Sequence, residues 1–249
     1  MSAIATTLLN RPVRFYEAAA GKKVVMAVTG VILFGYVLAH MLGNLQIFEG
    51  PDAINSYAHF LHSHEGALWV ARSVLLVAVV MHIVASIQLW TLNNKARPIS
   101  YVRKADVPTS YAARTMKWSG PIIAAFVIFH VLHLTTGDIV PLQAAPADSP
   151  DAYDNVIMGF QHPAIAIFYI VAVLLLCMHL YHGLWSMFQS LGISHPRYTP
   201  RLKRFAGVFA IVVAIGYISI PIAAMAHLIS PEAGTAHTGK VVTAHAARR

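Results

Sequence analysis

The sequence predicts an all-α integral membrane protein with five transmembrane helices. Of its 249 residues, 57% are hydrophobic and only 11% are charged, whereas about a quarter of the residues of an ordinary soluble domain are charged. The mean hydropathy is +0.60, and long apolar stretches alternate with short polar loops. So few charged residues cannot cover the surface of a compact soluble protein of this size, and that class is excluded.

Five apolar stretches are long enough to cross a bilayer, which takes about 20 residues in a helix. Pro, Gly, Asn, Asp and charged residues separate them, as in loops. The first stretch is longer than a signal-peptide core and no small-residue cleavage pattern follows it, so we expect it to be retained. The predicted spans are residues 24–43, 67–92, 118–135, 163–187 and 205–229, and together they define a membrane domain over residues 24–229.

Three further segments lie outside the predicted spans. Residues 1–23 form an N-terminal arm, in which residues 14–23 are predicted as a helix lying at the membrane interface. Residues 51–62 predict a similar short helix on the opposite surface, with Tyr57 and Phe60 facing lipid. Residues 230–249 are small, polar and basic at the end, which is typical of a disordered tail.

The charges of the loops predict the orientation of the chain. The N-terminal arm and the loops after the second and fourth spans hold fourteen of the eighteen basic residues and only two acids, Glu17 and Asp106. The loops after the first and third spans contain acids but neither Lys nor Arg. The positive-inside rule therefore places the N-terminus in the cytoplasm and the C-terminus outside the cytoplasmic membrane. The net charge of +8 is then explained by orientation, and no nucleic-acid partner is expected.

Histidine occurs deep inside four of the five spans. A polar side chain at membrane depth is costly and is a functional hypothesis by default, and a neutral imidazole is a common ligand of haem iron. The single cysteine, Cys177, excludes a disulfide framework and a cysteine-based zinc or iron–sulfur site within this chain. The histidines within these four spans are His40, His82, His130, His133, His179 and His182.

Depth sorts these histidines into two levels. In the spans that run outward, His40 follows Lys23 by about 17 residues and His130 follows Lys117 by about 13, so both lie in the outer half at about 1.5 Å per residue. In the spans that run inward, His82, His179 and His182 lie in the inner half. Two helices thus supply histidine at each level, which is the arrangement that two stacked bis-histidine b haems require. The sequence therefore predicts four helices bundled around two haems.

A histidine-dependent, proton-coupled transporter is the main alternative from another class. Such pathways also use histidine within the membrane and usually add buried carboxylates. The five spans contain no Asp or Glu, and Arg72 is the only charged residue well inside one of them. This composition favours haem ligation.

Several short motifs, taken in their order and spacing, resemble a known family. The resemblance is to the five-helix, dihaem cytochrome b subunit of succinate:quinone oxidoreductases, which are succinate dehydrogenases or fumarate reductases, and it covers about residues 20–229. The matching motifs are Thr29-Gly30, Ala39-His40-Met41, Met81-His82, Arg97-Pro98-Ile99-Ser100-Tyr101, Trp118-Ser119-Gly120, Phe129-His130, His182-Gly183 and the helix-ending Gly192.

The resemblance implies which histidines bind haem. Helices one and three would bind the outer, distal haem through His40 and His130, and helices two and four the inner, proximal haem through His82 and His182. His130 is preferred to its alternate His133 because it lies ten residues after the Ser-Gly pair. His182 is preferred to its alternate His179 because it precedes glycine, although depth matching slightly favours His179.

The resemblance also implies partners and a substrate. A flavoprotein with FAD and an iron–sulfur subunit would dock on the cytoplasmic side and carry the dicarboxylate chemistry, while quinone, with menaquinone favoured, would react at this lipid-embedded chain. The alternative within redox proteins is a dihaem anchor of another quinone-linked dehydrogenase or a hydrogenase. Candidates for an outer quinone site are Glu65, His59, His62, His64 and Asn44.

Overall fold

The fold is all-helical over the residues that the computed structural model describes, which are 16–96, 111–142 and 151–231. No strand occurs in these ranges. Five of the helices are long and apolar enough to cross a membrane. The predicted all-α class and the predicted number of membrane-spanning helices are therefore confirmed, and the bundling of four helices around two haems stays a prediction. The N-terminal residues 1–15 and most of the predicted tail lie outside the described residues.

Seven α-helices and one short 3₁₀ turn make up the described chain. The five helices that suit a membrane span are α1, α3, α4, α6 and α7, and α2 and α5 are short helices between them. The bounds are α1 (Ala19–Leu45), a 3₁₀ turn (Gln46–Glu49), α2 (Pro51–Ser63), α3 (Glu65–Lys95), α4 (Tyr111–Leu134), α5 (Ala152–Phe160), α6 (Pro163–Ser190) and α7 (Thr199–Met225).

Proline and glycine mark several helix ends. Proline stands at the first or second position of α2, α6 and α7, where its missing N–H costs nothing because the first-turn donors have no partner within the helix. Gly192 ends α6 with φ of +84°, and the amide of Ile193 then donates to the carbonyl of Phe188 at 2.8 Å. This closure needs a left-handed residue, so the role given to Gly192 from the sequence is confirmed.

Helix α1 is the central element of the bundle. It packs against α3 on one side and against α6 and α7 on the other, while α4 packs against α6. Met41 of α1 is buried among Val173 and Cys177 of α6 and Val213 of α7. A second apolar cluster joins α4, α6 and α7 to the two short helices α2 and α5. The end of the bundle that carries α2 and α5 is called the outer end, because the loop charges predict that it faces outward, and the opposite end is called the inner end.

Helix α5 was not predicted, because its nine residues lie in a segment that reads as a loop. Asp151 caps it, since the carboxylate accepts a hydrogen bond from the amide of Asp154 at 3.0 Å. The same carboxylate accepts from Asn55 Nδ2 at 3.1 Å, and Asn55 Oδ1 accepts from the amide of Tyr153 at 3.0 Å. These bonds join α5 to α2, so the two outer loops form one cap over the bundle.

Two expectations for the short interfacial helices need correction. The helix over residues 51–62 is present as α2, but Tyr57 faces protein, because a Cβ on Gly43 of α1 would lie 2.7 Å from its ring. Phe60 is 56% exposed, as expected of a lipid-facing side chain. Ala19–Lys23 do not form a separate helix, because α1 is continuous from Ala19. Tyr16 and Glu17 are helical, and a bend at Ala18 separates them from α1. Residues 14–15 of the predicted helix lie outside the described residues.

The contact between α7 and α1 yields a stability prediction. An alanine Cβ at Gly216 would lie 2.5 Å from the sulfur of Met41 and 3.0 Å from its Cγ. Because Met41 is only 3% exposed, we expect Gly216→Ala to lower the free energy of unfolding by about 1–3 kcal/mol through overpacking. The measurement is the thermal unfolding midpoint of the purified protein in detergent. Gly66→Ala is the control, since nothing lies within 4 Å of that Cβ, and equal midpoints for both variants would contradict the packing.

Candidate functional site

The outer histidine pair joins α1 to α4. The ring centroids of His40 and His130 lie 5.7 Å apart and the planes are nearly perpendicular, at 86°. Tyr36 stacks on His40 with centroids 5.3 Å apart, and Phe126 lies 6.0 Å from the His130 ring. The two residues that depth matching pairs in the outer half are therefore neighbours in space.

The inner pair joins α3 to α6. The ring centroids of His82 and His179 lie 6.3 Å apart, with 57° between the planes. Within the described residues, no ring contact joins His82 to His182. The structure therefore brings together the pair that depth matching slightly favours, whereas the family resemblance favours His182.

Both separations suit a metal ion between the rings. Two imidazoles that bind one metal from opposite sides, each at about 2 Å, have ring centroids roughly 6 Å apart. In the described chain, α1 does not pack side by side with α4, nor α3 with α6. It is the imidazoles, and not the helix backbones, that approach each other. The two rings of each pair would therefore be able to hold one metal ion between them, and imidazole is a common ligand of haem iron.

Hydroxyl groups orient the inner pair. Thr29 is buried and donates its hydroxyl proton to its own helix, with Val25 O at 2.8 Å. Its oxygen lies 3.1 Å from His82 Nδ1 and accepts from that nitrogen when Nδ1 carries the proton. Ser119, also buried, lies 3.5 Å from His179 Nδ1. A metal-binding histidine usually donates its other N–H in this way, which leaves Nε2 free for the metal.

His133 faces the outer cap and not the opposing histidine. It is fully buried, and its Nδ1 lies 2.8 Å from the hydroxyl of Tyr169. Its ring packs against Phe160 of α5 at 6.2 Å between centroids, and against Gly159. The ring of His130, by contrast, faces His40. This placement supports His130 as the outer ligand of α4.

His182 lies about one turn beyond His179, at the inner end of α6. Its ring meets the edge of Trp185 at 5.4 Å between centroids, and the ammonium of Lys203 lies 4.5 Å from the Trp185 ring. His182 Nδ1 and Trp185 Nε1 are buried and have no hydrogen-bond partner among the described residues. Because the indole N–H can only donate, we expect a hydrogen-bond acceptor to bind at this end of the bundle.

The candidates for an outer quinone site are not gathered into one enclosed place. His59, His62, His64 and Glu65 are all exposed. His62 and His64 hydrogen-bond through Nδ1 to carbonyls of their own helix, Ala58 O at 2.8 Å and Phe60 O at 2.9 Å. Asn44 donates to His40 O at 2.7 Å. Within the described ranges, no group of three or more His, Cys, Asp or Glu side chains is arranged to hold a metal ion.

Tyr169 is the residue that sequence reasoning missed. It is 5% exposed, and its hydroxyl lies within hydrogen-bond reach of both His130 and His133. The available signal was weak: a phenol in an otherwise apolar stretch needs a polar partner when it is buried. Which partner it meets depends on the packing of α6 against α4.

Comparison with known proteins points to the family that the motifs resemble. The chain is 27% identical over 195 residues to the succinate dehydrogenase cytochrome b558 subunit of Bacillus subtilis (strain 168). The match covers 77% of this chain and 89% of that protein. No family model matches the chain, and no solved structure matches it. The similarity therefore supports the succinate dehydrogenase membrane-anchor family, with its cytochrome b subunit as the relative.

Proposed function

We propose that the chain is the membrane-anchor cytochrome b subunit of a succinate dehydrogenase or fumarate reductase, and that it holds two b haems. The observation that carries the proposal is the presence of two interhelical histidine pairs at two levels along the helices, with ring centroids 5.7 and 6.3 Å apart. The named relative supports the choice of complex.

The outer haem is assigned to His40 and His130, and the inner haem to His82 and His179. The second assignment departs from the preference for His182 because His179, and not His182, faces His82. When bound, each haem supplies a one-electron couple. The protein orients the imidazoles through hydroxyl groups and surrounds them with apolar side chains that keep water away.

The donors at the inner end of α6 suit the carboxylates of a haem. We assign His182 and Trp185 to hydrogen bonds with the inner haem's propionates, because each has a buried nitrogen without a partner among the described residues. The Lys203 ammonium, held over the Trp185 ring, adds positive charge at the same place. His182 then has a role beside the haem without being an axial ligand.

The two ends of the bundle differ in charge, which supports an orientation and a docking side. In this proposal the N-terminus is cytoplasmic, the basic ends of the helices dock the iron–sulfur subunit, and the flavoprotein binds that subunit. Quinone, with menaquinone favoured, reacts on the outer side, and Glu65 and Asn44 are still the candidates there. The basic residues at or near the inner helix ends are Lys22, Lys23, Lys95, Arg114, Lys117, Arg197, Arg201, Lys203 and Arg204.

The first prediction concerns haem content. The purified chain, expressed with haem supply, is expected to show b-type bands in a reduced-minus-oxidised spectrum. A pyridine haemochrome assay should give two haems per chain, because there are two histidine pairs. A spectrum without b-type bands would reject the cytochrome function and favour the transporter alternative. A value of one haem per chain would reject the proposal that both histidine pairs bind haem.

The second prediction separates the two histidines of α6. His179→Ala should remove the inner haem and leave one haem per chain, because His179 faces His82. His182→Ala, a matched variant three residues away on the same helix, should retain both haems. Haem stoichiometry of the two purified variants is the measurement, and the reverse pattern would restore His182 as the ligand.

The third prediction concerns the complex. Affinity purification of the tagged chain from its native membrane is expected to bring down an FAD-containing flavoprotein and an iron–sulfur protein, with succinate-dependent quinone reduction in the eluate. A variant that lacks residues 1–15 tests whether this part of the N-terminal arm is needed to bind the partner proteins. Recovery of a hydrogenase or of another dehydrogenase, with no succinate-linked activity, would move the chain to the alternative anchor function.

A further inference from the structure

The Tyr169 hydroxyl lies between two histidines of α4. It is 3.3 Å from Nδ1 of His130 and 2.8 Å from Nδ1 of His133. Tyr169 is 5% exposed and His133 is fully buried. Two ring nitrogens therefore share one phenol in a place from which solvent is excluded.

The count of protons fixes the direction of these hydrogen bonds. A phenol has one proton to give, and a neutral imidazole carries a proton on one nitrogen and a lone pair on the other. If His130 binds a metal through Nε2, its Nδ1 carries the proton and donates to the Tyr169 oxygen. The Tyr169 proton then goes to His133 Nδ1. His133 keeps its own proton on Nε2, which is buried and has no hydrogen-bond partner among the described residues.

We propose that Tyr169 is a positioning residue that sets the orientation and basicity of His130, and that His133 aligns Tyr169 for this role. The inference rests on the proposed function, because it assigns His130 to the outer haem. A hydrogen-bond acceptor behind a ligating histidine fixes the ring and makes it a stronger electron donor to the metal. A stronger donor stabilises the oxidised iron and so lowers the midpoint potential of that haem.

The outer cap holds His133 in place. A Cβ on Gly159 of α5 would lie 2.7 Å from His133 Nε2 and 2.8 Å from its Cε1. Glycine at this position is therefore what allows the imidazole to fit against α5. Phe160 closes the same side, with its ring 4.8 Å from that of Tyr169 and 6.2 Å from that of His133.

The test is Tyr169→Phe in the full-length, haem-loaded protein. Potentiometric titration of both haems, together with their low-temperature electron paramagnetic resonance spectra, gives readouts that do not depend on enzyme activity. We expect the outer haem to shift to a more positive midpoint potential with an altered spectrum, while the inner haem is unchanged. The outer haem is identified as the one that His40→Ala lacks.

Tyr217→Phe is the matched control. Tyr217 also lies beside the outer pair, 6.2 Å from the His40 ring, but its hydroxyl donates to the backbone carbonyl of Val37 at 2.7 Å and touches no ligand nitrogen. We expect its outer haem to keep the wild-type potential. A second variant, Gly159→Ala, should shift the outer haem in the same direction as Tyr169→Phe, because it displaces His133 without removing a hydrogen-bonding group.

The outcomes separate this inference from the proposed function. If the wild-type protein binds two haems and Tyr169→Phe behaves as Tyr217→Phe does, the positioning role is wrong and the cytochrome function stands. If the wild-type protein binds no haem, the proposed function itself fails. Loss of the outer haem from Tyr169→Phe, but not from Tyr217→Phe, also supports the positioning role.

Discussion

The structure depends on one constraint, which is that a neutral imidazole in an apolar interior favours a partner for each of its two nitrogens. An unpartnered polar atom in an apolar interior costs several kcal/mol at the upper end of measured values. In three of the four paired histidines, Nδ1 faces a hydroxyl of a neighbouring helix: Thr29, Ser119 or Tyr169. The remaining nitrogen is then available for a partner between the opposing rings. For these three rings the interhelical arrangement follows, because one helix holds the ring and a second helix orients it.

Three helices serve both levels at once. Helix α1 supplies His40 to the outer pair and the Thr29 hydroxyl to the inner pair. Helix α4 likewise supplies His130 to the outer pair and the Ser119 hydroxyl to the inner pair. Helix α6 supplies His179 to the inner pair and the Tyr169 hydroxyl to the outer pair. On each helix the two residues are ten or eleven positions apart, which is about three turns, so they share one face and lie about 16 Å apart along the axis. The two levels are therefore fixed relative to each other by the helices themselves, and a shift of one helix along its axis disturbs both.

The sequence predicts the features that depend on hydropathy and on position along a helix. The five spans, the two levels of histidines and the pairing of His40 with His130 follow from helix rise and from alternating direction. The choice between His179 and His182 does not follow, because residues three apart share a face and only the rotation of α6 against α3 decides which one meets His82. Helix α5 was missed because nine residues between polar loops carry little periodic signal, and its stability comes from the Asp151 cap and from burial of Ile157 and Phe160. The candidates for an outer quinone site were predicted from residue type alone. The structure gives them no geometric support, because His59, His62, His64 and Glu65 are exposed and are not enclosed by other side chains.

The two sites differ in what holds their orienting groups. At the inner site, Thr29 is fixed by a carbonyl of its own helix, so the support lies wholly within the membrane bundle. At the outer site, His133 aligns the Tyr169 phenol and packs on Gly159 of α5. Helix α5 is in turn joined to α2 by the hydrogen bond between Asp151 and Asn55. A continuous series of contacts therefore connects the outer loops to His130. Among the described residues, no such series connects them to His82. A ligand's orientation and basicity set the properties of the metal it binds. Under the proposed function, changes in these loops are therefore expected to affect the outer haem more than the inner one.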